Sequence, residues 1–170
     1  MAYELFGEKF HDMAFKETLS IIISNHPRLP NDHFGFLEAY CNDEDCDCRR
    51  VMFNVTSRNR QEFVAVIAFG WESQAFYTHW YRKNDPEVIR QLKGPILNFG
   101  SQQSDLAPAL LELVRDTLVK DPVYIEQLKR HYHMFKERID PEHFPTVASK
   151  DADSQTVPQT RKRHRIRSEK

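Results

Sequence analysis

The chain has 170 residues, of which 40% are hydrophobic and 29% are charged, as is typical of a soluble globular protein rather than a disordered one. Its formal net charge at pH 7 is only −1, and it has no apolar run of the length that crosses a membrane. The first residues lack the basic and apolar regions of a signal peptide, so we expect a cytoplasmic protein with reduced cysteines.

The first half of the chain has mainly the pattern of β-strands. Apolar residues at three- and four-residue spacing over residues 6–15 predict a short amphipathic helix before them. Four runs rich in β-branched and aromatic residues follow, at residues 18–24, 34–40, 51–56 and 63–69. These runs predict an antiparallel sheet of about four strands, and Asn59 is suited to a positive φ in the turn before the last strand.

Helical patterns begin after the last of these runs. Residues 71–81 are rich in aromatic side chains at helical spacing and predict a helix. Asp85, followed directly by Pro86, is typical of a helix start, and we expect this short helix to end near Leu92. We predict that residues 93–103 form an irregular loop.

Two further amphipathic helices are predicted toward the C-terminus. The first begins at Ser104 or Asp105 and presents a row of leucines on one face, and the second begins at Asp121 and continues through Phe135. Both can cover one face of the sheet. The predicted fold is therefore α+β, with a small antiparallel sheet packed against C-terminal helices.

The C-terminal residues differ in composition from the rest of the chain. We predict a single α+β domain over residues 1–145 and a disordered basic tail over residues 146–170, where prolines, serines and charges replace the helical periodicity. Basic tails can contact nucleic acid weakly and without sequence preference. The candidate contacts are Arg161, Lys162, Arg163, Arg165 and Arg167.

All three cysteines lie within one eight-residue window, at Cys41, Cys46 and Cys48, together with four carboxylates. Thiols in such surroundings resist ionisation unless a bound cation compensates the negative charge. The window therefore predicts most of a metal site in the connection between two strands. Zinc is the expected ion, and its expected role is structural, because a metal at that position would fix the register of the hairpin.

A closed tetrahedral zinc site needs one more ligand, and the chain has eight histidines but no fourth cysteine. The candidates are His131, His133, His79 and His33. We favour His131, because a ligand on the last helix would attach that helix to the sheet.

Two other chemistries fit the same window less well. Asp43, Asp45 and Asp47 have the spacing that opens an EF-hand calcium loop, but Cys48 stands where that loop has glycine and Asn54 where it has glutamate. A redox-active disulfide between two of the cysteines is the other alternative. The surrounding carboxylates disfavour the reactive thiolate that it requires.

Six segments together resemble a family of uncharacterised bacterial proteins with a Tyr-Cys-x4-Cys-Asp-Cys-Arg-Arg box. They are residues 35–41, 46–51, 70–73, 93–95, 103–111 and 128–132, and the likeness extends over residues 6–137. Some members of that family carry a SEC-C-like zinc tail, whereas this chain has no cysteine after Cys48. The resemblance implies a fold and a metal site but no activity, and its Arg-His-Tyr box is a second reason for favouring His131.

No catalytic motif accompanies the cysteines: the sequence contains no P-loop, no nucleophile elbow and no zinc-protease motif. A zinc ion with four protein ligands also lacks the open position that catalysis needs. We therefore expect a binding or adaptor module for a protein partner rather than an enzyme. The alternatives are a metal-dependent hydrolase, with Glu38 or Glu72 as general base, and a nucleic-acid-binding protein that uses the basic tail.

Overall fold

A computed structural model of the chain describes residues 2–146, which contain six β-strands and six α-helices. The strands are β1 (Tyr3–Leu5), β2 (Leu19–Ile23), β3 (Asp32–Cys41), β4 (Arg50–Ser57), β5 (Glu62–Gly70) and β6 (Ile96–Leu97). The helices are α1 (Phe6–Lys9), α2 (His11–Glu17), α3 (Gln74–Tyr81), α4 (Pro86–Lys93), α5 (Ala107–Asp116) and α6 (Pro122–Ile139), with a 3-10 helix at Leu118–Lys120 between the last two. None of these helices is both long and apolar enough to cross a membrane.

The strands form one antiparallel sheet in the order β1-β3-β4-β5-β6, so the predicted α+β fold is confirmed. Strand β3 has two partners along its other edge: β1 pairs with residues 39–41 and β2 pairs with residues 32–36. Helices α1 and α2 connect these two short strands. Residues 37–38 of β3 therefore lie at the gap between β1 and β2.

One face of the sheet carries the core. Residues at alternate positions of β3 point to the same face, and Phe34, Phe36 and Tyr40 are all buried there. Helix α6 packs on this face through Leu128 and Phe135, which lie on its apolar stripe. Helix α5 joins it through its own buried leucine and valine side chains. Glu38 occupies the same row of β3 and is thereby brought into the core.

The starts of α4 and α6 follow the sequence prediction, whereas α5 begins at Ala107 rather than at Ser104 or Asp105. The side chain of Asp85 accepts hydrogen bonds from the first-turn N–H groups of α4, and the side chain of Asp121 does the same for α6. The turn between β4 and β5 differs from the prediction. The residue with positive φ is Gln61 and not Asn59, because the backbone N–H of Asn59 donates to Asp32 Oδ1 while Gln61 closes the turn on Ser57.

Of the predicted basic tail, only Thr146 belongs to the part of the chain that the structure describes. The five basic residues that were candidate contacts for nucleic acid lie outside it.

Candidate metal centre

The connection between β3 and β4 brings the three cysteine sulfurs together. Cys41 ends β3, Cys48 lies just before β4, and Cys46 lies in the loop between them. Their Sγ atoms all lie within 4.8 Å of one another, and none of the three is in a disulfide. Thiolates bound to one tetrahedral zinc ion at about 2.3 Å are about 3.8 Å apart. The three cysteines are therefore close enough to hold one metal ion.

Two residues with left-handed backbone conformation shape this loop. Asp45 has φ 57° and Arg49 has φ 48°, and this region is sparsely populated by residues other than glycine. Both backbone polar groups of Arg49 are hydrogen-bonded. Its N–H donates to the Tyr132 hydroxyl, and its carbonyl accepts from the Tyr77 hydroxyl. Helices α3 and α6 thus fix the chain reversal that directs the sulfurs toward one another.

Helix α6 is attached to the loop at several points. Lys136 Nζ donates a hydrogen bond to the Asp43 carbonyl at 2.7 Å, and the Tyr132 hydroxyl lies 3.4 Å from the Cys46 carbonyl. Just beyond the helix, Asp140 accepts a hydrogen bond from the Asp45 N–H. The last helix is therefore joined to the cysteine loop by hydrogen bonds of these residues and not by a ligand from His131.

Lys136 is the unexpected charge of this region, because its side chain is 0% exposed. Burial of an ammonium group is costly unless negative charge or hydrogen bonds compensate it. Hydrogen bonds with Cys41 and Cys48, together with the positive charge of Lys136, lower the pKa of Cys46 to about 3. Hydrogen bonding with the other two cysteines and burial raise the pKa of Cys48. These shifts favour ionisation of Cys46 over Cys48, on the side of the buried lysine.

Two carboxylates of the window, those of Asp45 and Asp47, pair with other side chains. Asp47 forms an ion pair with Arg49, whose guanidinium also pairs with Glu72 at 3.1 Å. Asp45 lies 3.0 Å from His143 Nδ1, and Asp140 lies at the same distance from that atom. These last three residues are close enough to hold a cation, but they already bond one another and two are exposed. Asp45, Asp140 and His143 do not form a calcium loop.

His131 lies away from the cysteines, which corrects its assignment as the fourth ligand. Its Nδ1 is 2.7 Å from Glu38 Oε2 and its Nε2 is 3.0 Å from Glu17 Oε2, while its ring stacks on Phe6. Successive residues of an α-helix point about 100° apart. Because Tyr132 faces the loop between β3 and β4, His131 is turned toward α1 and α2 instead.

The other histidine candidates do not join the sulfurs either. The group formed by Cys41, Cys46 and Cys48 includes no further histidine, cysteine or carboxylate among residues 2–146. His133 instead pairs with Glu137 on its own helix. The two residues considered as general bases for a hydrolase are also paired with other side chains. Glu72 pairs with Arg49, and Glu38 pairs with His131.

Sequence reasoning missed the residues that support the site from α6. Tyr132 and Lys136 are four residues apart and continue the buried stripe of Leu128, so a lysine in that stripe was the available signal. No protein-family model, no curated protein and no solved structure matches the chain. The resemblance to the bacterial family therefore stays a prediction, and the site is identified by its geometry alone.

Proposed function

We propose that this chain is a zinc-binding protein of the cytoplasm, in which Cys41, Cys46 and Cys48 hold one structural Zn²⁺ ion, and that it serves as a binding or adaptor module for a protein partner. The observation that carries the proposal is the convergence of the three Sγ atoms within 4.8 Å. Thiolate sulfur is a preferred ligand of zinc, and reduced cysteines are the rule in the cytoplasm.

The structural role follows from what the ion would connect. It would join the last residue of β3, Cys41, to Cys48, two residues before β4, and it would hold Cys46 of the loop against both. The loop is already bonded to α6 through Lys136. A single ion there would therefore reduce the conformational freedom of the loop and stabilise the packing of the last helix on the sheet.

The fourth position of the ion belongs to solvent in this proposal, on the side of Cys46, which is partly exposed while the other two cysteines are buried. Three thiolates and Zn²⁺ leave a net charge of about −1, so the ion is a weaker Lewis acid than one held by neutral imidazoles. The charge of Lys136 compensates this excess. An open fourth position is otherwise typical of catalytic zinc, so the structural role rests on the charge of the three thiolates and of Lys136 and no longer on a closed ligand set.

The proposal is tested by the zinc content of protein purified under reducing conditions without added metal. We expect about one zinc per chain in the wild type and in His131→Gln, and none in Cys48→Ser. His131→Gln is the matched control, since it alters the residue that the sequence favoured while leaving the sulfurs in place. Circular dichroism verifies that each variant is folded. A metal-free wild type, or loss of zinc in His131→Gln alone, would contradict the proposal.

A further inference from the structure

One of the three cysteines is accessible to solvent, and the other two are not. Cys46 lies in the loop between β3 and β4 and is partly exposed, whereas Cys41 and Cys48 are 0% exposed. Oxidation of cysteine follows the exposure and the thiolate character of the sulfur. A small oxidant in solution therefore reaches the Cys46 sulfur before the other two.

The Cys46 sulfur has two further sulfurs within reach. It is hydrogen-bonded with Cys41 and with Cys48, and the three Sγ atoms lie within 4.8 Å of one another. An oxidised cysteine in its sulfenic acid form condenses with a neighbouring thiol to a disulfide. A single residue separates Cys46 from Cys48, so a bridge between these two would close a small, strained ring. Cys41, on the other side of the loop, is therefore the favoured partner.

The surroundings of Cys46 oppose such a reaction less than the sequence suggests. Asp45 and Asp47, the two carboxylates that adjoin Cys46 in the chain, pair with other side chains, and the buried Lys136 contributes positive charge near the Cys46 sulfur. A thiol that coordinates a metal ion is deprotonated outright. In the zinc-bound protein the thiolate that attacks an oxidant is therefore already formed.

We propose that the cysteine loop is a peroxide-sensitive switch, in which hydrogen peroxide oxidises Cys46, a disulfide forms between Cys41 and Cys46, and the zinc ion is released. The release of the ion rests on the proposed function, whereas the disulfide requires only the three sulfurs. The site modified first is Cys46, because it combines access to solvent with contact to a second sulfur.

Two sulfurs supply the two electrons that reduce the peroxide. The Cys46 thiolate attacks one peroxide oxygen and the O–O bond breaks, which gives the sulfenic acid and a hydroxide that takes up a proton from solvent. Cys41 then attacks the Cys46 sulfur and the S–O bond breaks, so a second hydroxide leaves and is protonated in the same way. The products are one disulfide and two water molecules. The ion keeps only Cys48 of its thiolate ligands and is released.

Oxidation removes one connection of the loop and keeps two others. Lys136 Nζ donates to the Asp43 carbonyl and Asp140 accepts from the Asp45 N–H, and both acceptor and donor lie inside the ring that the disulfide closes. The connection that is lost joins Cys48 to the other two sulfurs. The start of β4 is thereby freed from the end of β3, so we expect a local opening rather than unfolding.

Treatment of the reduced, zinc-loaded full chain with about one equivalent of hydrogen peroxide tests the proposal. A chromophoric chelator measures the released zinc, and mass spectrometry of alkylated peptides locates the disulfide. We expect zinc release together with a disulfide between Cys41 and Cys46, an alkylated Cys48, and recovery of zinc binding after reduction with dithiothreitol. A chain that holds no zinc but forms this disulfide supports the oxidation step and contradicts the zinc assignment alone. A zinc-loaded chain that keeps its ion and its three thiols overturns the switch alone.

Cys46→Ser and Cys48→Ser are the matched variants, compared with the wild type in the presence of a zinc chelator. Cys48→Ser should form the disulfide at nearly the wild-type rate. Cys46→Ser should lose its thiols at least about tenfold more slowly, because both remaining sulfurs are buried. Equal rates in the two variants, or a wild-type disulfide that includes Cys48, would overturn the proposal. If either variant does not fold, the position of the disulfide in the wild type decides by itself.

Discussion

Removal of zinc is expected to lower the free energy of unfolding by about 4 kcal/mol, compared with protein kept in free zinc at about a thousand times its dissociation constant. In the proposed role, the ion would bind the folded loop, in which three sulfurs already converge, much more tightly than the unfolded chain. Urea unfolding of the reduced protein, with and without a zinc chelator, measures the difference. Cys41 and Cys48, two of the three proposed ligands, are fully buried, so the metal-free state would leave their thiols in the core without the ion.

Cys48→Ser supplies the control for this measurement. The variant should have nearly the same stability with and without zinc, at a value close to that of the metal-free wild type. An unfolding curve of the wild type that zinc leaves unmoved would contradict a structural role for the ion. So would an equal response of Cys48→Ser to zinc.

Replacement of Lys136 by methionine is expected to weaken zinc binding by about 10- to 100-fold, the range typical of residues that support metal ligands without touching the metal. Lys136 Nζ is buried, holds the Asp43 carbonyl and contributes positive charge near Cys46. Methionine fills a similar volume but offers neither the charge nor the hydrogen bond. The three thiolates and the ion would then keep their excess negative charge in a region of low dielectric.

Competition with a chromophoric chelator measures this loss of affinity, and Lys129→Met is its matched control. Lys129 lies on the same helix, but its side chain is partly exposed and pairs with Glu126. That variant should bind zinc like the wild type. Equal affinities of Lys136→Met and the wild type would show that the buried lysine does not support the ion, and equal losses in both lysine variants would point to a general effect of charge.

The larger elements of the fold could be predicted because their signals are local. The β-branched runs and the aspartates that begin α4 and α6 each act within a few residues of sequence. Strands β1 and β6 have three and two residues, which is too short for a recognisable pattern, so the sheet has more strands than the four expected. The predicted helix over residues 6–15 is divided into α1 and α2 at Phe10.

The candidate site divides in the same way between local and long-range features. Three cysteines within eight residues must be near one another, so their convergence could be predicted. The orientation of α6 about its own axis could not be predicted, because it depends on how the helix packs. A rotation of about 100° separates His131, which meets Glu38, from Tyr132, which meets the loop. Glu38, considered as a general base beside the metal, lies in the core instead, where the alternation of β3 places it against His131.

X-ray absorption at the zinc edge of the purified, reduced protein tests the central claim most directly, because it counts the sulfur ligands of the bound ion. Three cysteine ligands and one solvent ligand predict three sulfur atoms at about 2.3 Å and a single oxygen at about 2.0 Å. Zinc surrounded only by oxygen and nitrogen, or a protein that retains no zinc, would contradict the assignment of Cys41, Cys46 and Cys48 as the metal site.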